Sequence, residues 1–180
     1  MRVIAGKAKG TRLGKVPART RPLSDRAREG LFASLGAVVR DARCVDLFAG
    51  TGAVGIEALS RGAASCVFVD SSASAARTIR ENLWKTGLGE GATVVRSDVR
   101  RFLERPTGPF DLAFLDPPYR LPGGTLGEVL ERLRPRLSDG ATVALTRPSG
   151  AHTDVIPVDW PVVRRLVYGD TGVLLCREEA

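Results

Sequence analysis

Short apolar runs alternate with amphipathic stretches along most of this chain of 180 residues. Five runs read as strands: Cys44-Val45-Asp46-Leu47-Phe48, Cys66-Val67-Phe68-Val69, Thr93-Val94-Val95, Leu112-Ala113-Phe114-Leu115 and Thr142-Val143-Ala144-Leu145. The segments between them space their apolar residues for helices: Val54, Ile56, Ala58 and Leu59; Ala75, Ile79, Leu83 and Trp84; Phe102 and Leu103; Leu126, Val129, Leu130 and Leu133. Gly62 and Gly87 end the first two, and Gly123-Gly124 precedes the last. Near-continuous apolar strands separated by helices predict a parallel sheet covered on both faces. The final part breaks this rhythm. Val162 to Tyr168 and Val173 to Cys176 flank Gly169-Asp170-Thr171-Gly172 with no helix between, which predicts a hairpin and an antiparallel edge. The expected fold class is therefore α/β, with a mostly parallel seven-stranded sheet ending in that edge hairpin. There is no internal repeat and no second domain.

Ahead of the alternating part, residues 17–25 hold Pro17 and Pro22 and read as a connector. Ser24 or Asp25 caps a following helix whose Arg28, Leu31, Phe32 and Leu35 share a face. Before the connector the chain is basic. Residues 1–30 carry nine basic side chains and two acids, a charge of +7, whereas the remainder holds 18 of each sign. The whole net charge of +7 thus sits in the N-terminal arm. Arg2, Lys7, Lys9, Arg12, Lys15, Arg19 and Arg21 can neutralise phosphates and release counterions, so nucleic acid is the expected partner. The arm is not low in complexity: Arg2-Val3-Ile4-Ala5-Gly6 reads as a short strand, and Gly10 and Gly14 punctuate the residues after it, which predicts a basic β-ribbon.

The composition, 43% hydrophobic and 26% charged, excludes a wholly disordered chain. No apolar run suits a membrane span, and the first residues lack the core of a secretory signal. Cys44, Cys66 and Cys176 are odd in number and widely spaced, so buried thiols are expected, not disulfides. With a single histidine, His152 in an exposed loop, no metal site is expected. A cytoplasmic setting is expected. Trp84 and Trp160 read as packing residues.

The candidate chemistry lies where the strands end. Gly50-x-Gly52-x-x-Gly55 follows the first strand and opens a helix, a weak nucleotide-binding signal by itself. Asp70 ends the second strand, where an acid can hold ribose hydroxyls. Asp46 precedes the turn and would repel a pyrophosphate but suit a cation. Asp98 ends the third strand. Each acid could instead cap a helix or turn. Asp116-Pro117-Pro118-Tyr119 ends the fourth strand. Its prolines have no N–H, so the motif offers carbonyls, a carboxylate and an aromatic face. Those groups suit an exocyclic amine on a planar base, with Tyr119 able to stack on the ring.

Asp46-Leu47-Phe48-Ala49-Gly50-Thr51-Gly52 together with Asp116-Pro117-Pro118-Tyr119 resembles the Rossmann-like S-adenosylmethionine methyltransferases that modify exocyclic amines. Adding Arg2 to Gly6 and the stretch Arg21 to Phe32, nearly the whole chain resembles the bacterial 16S ribosomal RNA guanine-N2 methyltransferase D family. Leu23 departs from it, standing where the family usually has threonine, and Thr146 stands where many relatives have glutamate. The resemblance implies S-adenosylmethionine as cofactor. Gly50, Thr51 and Gly52 would wrap its methionine part, with Asp46 and Phe48 nearby. Asp70 would hold the ribose, Ser71 would lie beside the adenine, and Asp98, backed by Val99, would accept the adenine amino group. Asp116, Pro117, Pro118 and Tyr119 would position the target amine. Residues 1–22 would form an RNA-binding arm and 23–180 the catalytic domain. The implied partner is ribosomal RNA within the small subunit or its precursor, and the implied protein is a monomer. An adenine-N6 methyltransferase on DNA or RNA and a non-catalytic nucleic-acid-binding module remain as alternatives at this point. A nicotinamide dehydrogenase lacks an obvious catalytic histidine, Tyr-Lys or lysine pairing.

Overall fold

A computed structural model describes residues 1–15, 23–151 and 154–177. Arg19, Arg21, Pro17, Pro22 and His152 lie outside the described residues. Among the described residues, seven strands form one sheet: β1 Arg43–Leu47, β2 Ser65–Asp70, β3 Ala92–Arg96, β4 Phe110–Leu115, β5 Leu137–Pro148, β6 Val162–Tyr168 and β7 Thr171–Arg177. Their order is β3-β2-β1-β4-β5-β7-β6. The first five run parallel, while β7 inserts antiparallel between β5 and β6. The expected mostly parallel sheet with an antiparallel C-terminal hairpin is what forms. The helices that cover it are α1 Asp25–Leu35, α2 Ala53–Ser60, α3 Ala73–Thr86, α4 Val99–Leu103 and α5 Gly123–Leu133. Two 3-10 turns, Gly36–Val39 and Arg134–Arg136, carry no clear signal in the apolar spacing.

Side chains alternate between faces along each strand, which splits the core in two. On one side Cys44, Phe68, Leu112 and Phe114 pack with α1, α2 and α3. On the other Val45, Leu47, Ala113 and Leu115 pack with α4 and α5. All three cysteines are buried and free. Trp160 is buried as expected, but Trp84 is 84% exposed. The last turn of α3 aims Trp84 away from the sheet, because Ile79, Asn82 and Leu83 already occupy its inner face.

Ser24 caps α1, its hydroxyl accepting from the Ala27 N–H at 3.2 Å, a contact of about 1 kcal/mol. A methyl group at Gly30 would lie 1.6 Å from the Tyr168 hydroxyl. Only a bare backbone lets α1 sit that close to the end of β6.

The N-terminal ribbon is tighter than the strand pattern predicts. One isolated antiparallel bridge, Arg2 with Arg12, replaces a ladder. The Val3 N–H donates to the Thr11 carbonyl at 3.0 Å and the Gly10 N–H to the Val3 carbonyl at 2.9 Å. Val3, Ala8 and Leu13 turn inward and join the core beside α1 and α2. Arg2, Lys7, Lys9, Arg12 and Lys15 all point to solvent. The buried Glu57 of α2 receives the ribbon, accepting the Ile4 N–H at 2.8 Å and the Ala5 N–H at 3.0 Å. Asn82 of α3 accepts the Gly14 N–H at 2.7 Å and donates to the Thr51 carbonyl at 2.9 Å. One side chain thereby ties the ribbon to the turn after β1. Among the described residues, no helix is long and apolar enough to cross a membrane.

Candidate active site

Strand periodicity sets the site. Asp46 lies two residues past Cys44 and Asp116 two past Phe114, so both carboxylates share the face covered by α1 and α2. β1 and β4 are neighbours in register, Leu47 opposite Leu115, which brings the ends of the two strands together. The chain then turns abruptly off β1. Phe48 has φ of +62°, an uncommon conformation for a bulky side chain and a strain of about 1–3 kcal/mol. It is held by three contacts: Ala49 N–H to the Val69 carbonyl at 3.0 Å, Gly50 N–H to Asp70 Oδ2 at 2.9 Å, and Gly52 N–H to the Ala49 carbonyl at 2.7 Å. Gly50 and Gly52 also have positive φ, which suits their lack of a Cβ. Asp70 has a second task, accepting the Ser72 N–H at 2.9 Å. The turn is thus built before any ligand arrives.

The third glycine serves packing. A Cβ on Gly55 would lie 2.4 Å from Phe68 Cε1 and 2.7 Å from Cys66 Sγ. This contact draws the start of α2 onto β2, and the Gly55 N–H then donates to Asp46 Oδ2 at 3.0 Å. Gly55→Ala is expected to cost about 1–3 kcal/mol in chemical denaturation. Because the clash also moves the donor of Asp46, weaker cofactor binding should accompany the loss.

Asp46, Phe48, Ala49, Gly50, Thr51, Ala53 and Val54 line one opening with Leu23 and Asp116. A second opening is lined by Leu23, Ser24, Asp116, Tyr119, Thr146 and the turn from Tyr168 to Thr171. Asp116 and Leu23 belong to both, so the two openings meet at one carboxylate. Pro117 is buried, and the Tyr119 ring is 48% exposed with its hydroxyl 3.0 Å from Thr171 Oγ1.

Asp70, Ser71, Asp98 and Val99 line neither opening. Asp98 caps α4 by accepting the Arg100 and Arg101 N–H groups at 3.0 and 3.3 Å, while Val99, the first residue of that helix, is buried. The ends of β3, β2, β1 and β4 are nevertheless consecutive in the sheet, and their acids form one rim. Sequence reasoning missed Leu23 as a wall of both openings, having marked it only as a departure. It also missed the turn from Tyr168 to Thr171. β7 runs antiparallel beside β5, with Thr171 opposite Pro148, and this register returns the turn to the end of the sheet that carries the motif.

Electrostatics distinguish this end of the sheet. At the far end of β4, Arg43 pairs with Asp111 and holds its carboxyl well below the usual range. Here burial pushes Asp116 up to about 6. Burial also drives Asp46 well above its ordinary value, with the charges of Asp116 and Asp70 adding to the effect and the Gly55 N–H opposing it. Asp46, Asp70 and Asp116 form no ion pair among the described residues. Two desolvated carboxylates beside a glycine turn, Asp46 raised further by its acidic neighbours, make an environment that a cationic nucleoside would relieve.

Sheet order, glycine turn and Asp-Pro-Pro-Tyr motif together define a Rossmann-like methyltransferase. The chain belongs to the family described as Conserved hypothetical protein 95, which matches residues 1–177. It is 35% identical over 184 residues to Ribosomal RNA small subunit methyltransferase D of Escherichia coli (strain K12), a match spanning 100% of this chain and 91% of that protein. It is 37% identical over 184 residues to YlbH of Bacillus subtilis (strain 168), whose name marks it as a candidate rRNA methyltransferase, with 99% of both chains covered. A solved structure of the hypothetical protein TTHA0928 from Thermus thermophilus superposes with a TM-score of 0.83 at 35% identity, covering 100% of this chain and 99% of that one. The resemblance drawn from the sequence motifs is borne out.

Proposed function

We propose that this protein transfers a methyl group from S-adenosylmethionine to the exocyclic N2 amine of a guanine in small-subunit ribosomal RNA. The observation that carries this reading is the meeting of two openings at Asp116, one bounded by the glycine turn and one by Tyr119. Similarity to relatives named as ribosomal RNA methyltransferases supports the substrate class.

When bound, the cofactor supplies an electrophilic methyl on a sulfonium. Gly50, Thr51 and Gly52 would wrap its methionine part, with Asp46 and Phe48 beside it. Asp70 would hold the ribose. Ser71, Asp98 and Val99 would flank the adenine, although Asp98 caps α4 here. Asp116 and the Pro117 carbonyl accept the two hydrogens of the target amine and direct its lone pair toward the glycine turn. Pro118 stiffens that acceptor row. Tyr119 stacks on the base, and its hydrogen bond to Thr171 anchors the hydroxyl end of the ring. At neutral pH Asp116 is mostly ionised, and its raised pKa suits it to take up the proton the amine loses. Orientation of the two partners contributes up to about 7–11 kcal/mol of the barrier reduction.

The arm, residues 1–22, serves as the RNA grip through Arg2, Lys7, Lys9, Arg12 and Lys15, with Arg19 and Arg21 extending the run in sequence. Its deletion would be a poor test, because Val3 and Leu13 are core residues and Asn82 links Gly14 to Thr51. Replacing Lys7, Lys9 and Lys15 by Ser removes charge alone. That variant should bind RNA more weakly with a shallower salt dependence and keep its cofactor affinity. The protein acts as a cytoplasmic monomer on RNA within the small subunit or its precursor. The deciding experiment is methylation of small-subunit particles with labelled cofactor, followed by mapping of the modified base. N2-methylguanine is expected, and methyl on adenine N6 would overturn the reading.

A further inference from the structure

We propose that the outer face of α3, centred on Trp84, is a stacking platform for an unpaired nucleotide of the RNA that the ribbon grips. This rests on the RNA reading above and extends it to a surface outside the catalytic cleft. A single exposed apolar side chain needs no explanation by itself. Trp84 differs in how large, how bare and how surrounded it is. It is 84% exposed. Arg77, Arg80 and Trp84 are spaced by three and four residues, so they form one stripe along the helix. Ala75, Ala76, Thr78, Ile79, Asn82 and Leu83 take the opposite, buried side.

The stripe is cationic and unneutralised. Among the described residues neither Arg77, Arg80 nor Lys85 forms an ion pair, and Glu81 is the one acid in α3. On the other face of the sheet Arg100 pairs with Glu128, and Arg132 with Glu104 and Glu128, so part of the positive charge there is neutralised. The stripe also continues the ribbon. A Cβ at Gly14 would lie 3.7 Å from Lys85 Nζ, and Gly14 is itself held by Asn82, so Lys15 adjoins the last turn of α3. A polyanion lying on the ribbon therefore meets Lys85 and Trp84 next. An indole face accepts any base, and the flanking cations accept its phosphates. Trp84 stands eleven residues into α3, roughly 16 Å along the axis from the cofactor end. The stacked nucleotide thus belongs to flanking RNA and not to the target base.

The test is binding of protein-free 16S ribosomal RNA, together with methylation of small-subunit particles, by the intact protein and its variants. Trp84→Ala should weaken RNA binding about tenfold and raise KM for the particles, while kcat and cofactor affinity hold. Trp84→Tyr should restore most of the affinity, because it keeps a ring. Tryptophan emission should fall on titration with a short single-stranded RNA, and this change should vanish in Trp84→Phe, since Trp160 is buried. Equal RNA affinity of Trp84→Ala and the unsubstituted protein would overturn the proposal alone. So would a loss seen only with assembled small subunits, which would assign the face to a ribosomal protein. Failure of the unsubstituted protein to methylate the particles would overturn the function reading as well.

Discussion

Replacing Asp116 by Asn should sharply slow methyl transfer and at the same time stabilise the fold. The carboxylate is pushed from an ordinary 3.8 to about 6 by burial with no compensating cation. Its ionised form is therefore a cost to the folded state at neutral pH. A rise of that size corresponds to about 3 kcal/mol at most, and partial contact with the opening reduces this to about 1–3 kcal/mol. The sign comes from proton counting. Between pH 3.8 and about 6 the folded protein holds a proton that the unfolded chain has lost. Stability therefore falls as pH rises through that window. Asp46, displaced in the same direction, adds to the slope. Asp116→Asn removes its share of the slope and should raise the unfolding free energy at neutral pH. Its amide cannot serve as a charged acceptor for the amine, so turnover should drop by about 10²–10⁴-fold. Cofactor binding should persist. The unsubstituted enzyme should lose activity as pH falls through about 6, when Asp116 takes up its proton. Calorimetry together with a pH–rate profile checks both halves. Undiminished turnover in Asp116→Asn would reject the assigned role.

The second large effect concerns Glu57. Its buried carboxylate accepts two ribbon N–H groups, accepts Arg61 Nε at 2.7 Å and lies 3.8 Å from the buried Arg28 Nε. Glu57→Ala removes the acceptor for all of them and leaves Arg28 short of countercharge. A cost of about 3–5 kcal/mol is expected in denaturant unfolding. Hydrogen exchange at Ile4 and Ala5 should accelerate, and RNA binding should weaken because the ribbon is no longer presented. Glu57→Gln should lose less, since one oxygen still accepts. A loss below about 1 kcal/mol for Glu57→Ala would show that the ribbon is held mainly by Val3 and Leu13.

Local sequence carries some of this and not the rest. Near-continuous apolar runs at Cys44 to Leu47 and Leu112 to Leu115, separated by glycine turns and amphipathic helices, are local information. They are enough to specify the parallel sheet, the helices on both faces and the acids at the strand ends. The motif residues are legible because their chemistry is carried by adjacent positions: Gly50 to Gly52, and Asp116 to Tyr119. Trp84 reads as a packing residue and is not one, because apolar spacing cannot tell which residue of a helix turn lies just outside the buried arc. Glu57 goes unremarked because nothing local marks an acid as buried; its partners, Ile4 and Ala5, are more than fifty positions away.

By itself, then, the sequence determined the α/β class, the glycine turn, the Asp-Pro-Pro-Tyr motif and a basic N-terminal arm, since each depends on neighbours in the chain. Tertiary structure alone decided three things. The antiparallel register of β7 against β5 carries Thr171 to Tyr119. The meeting of β1 and β4 makes Asp116 common to two openings. The docking of the ribbon on Glu57 and Asn82 joins the arm to the turn after β1. All three depend on contacts between residues far apart in the chain, and only the packing of the folded sheet and helices selects them.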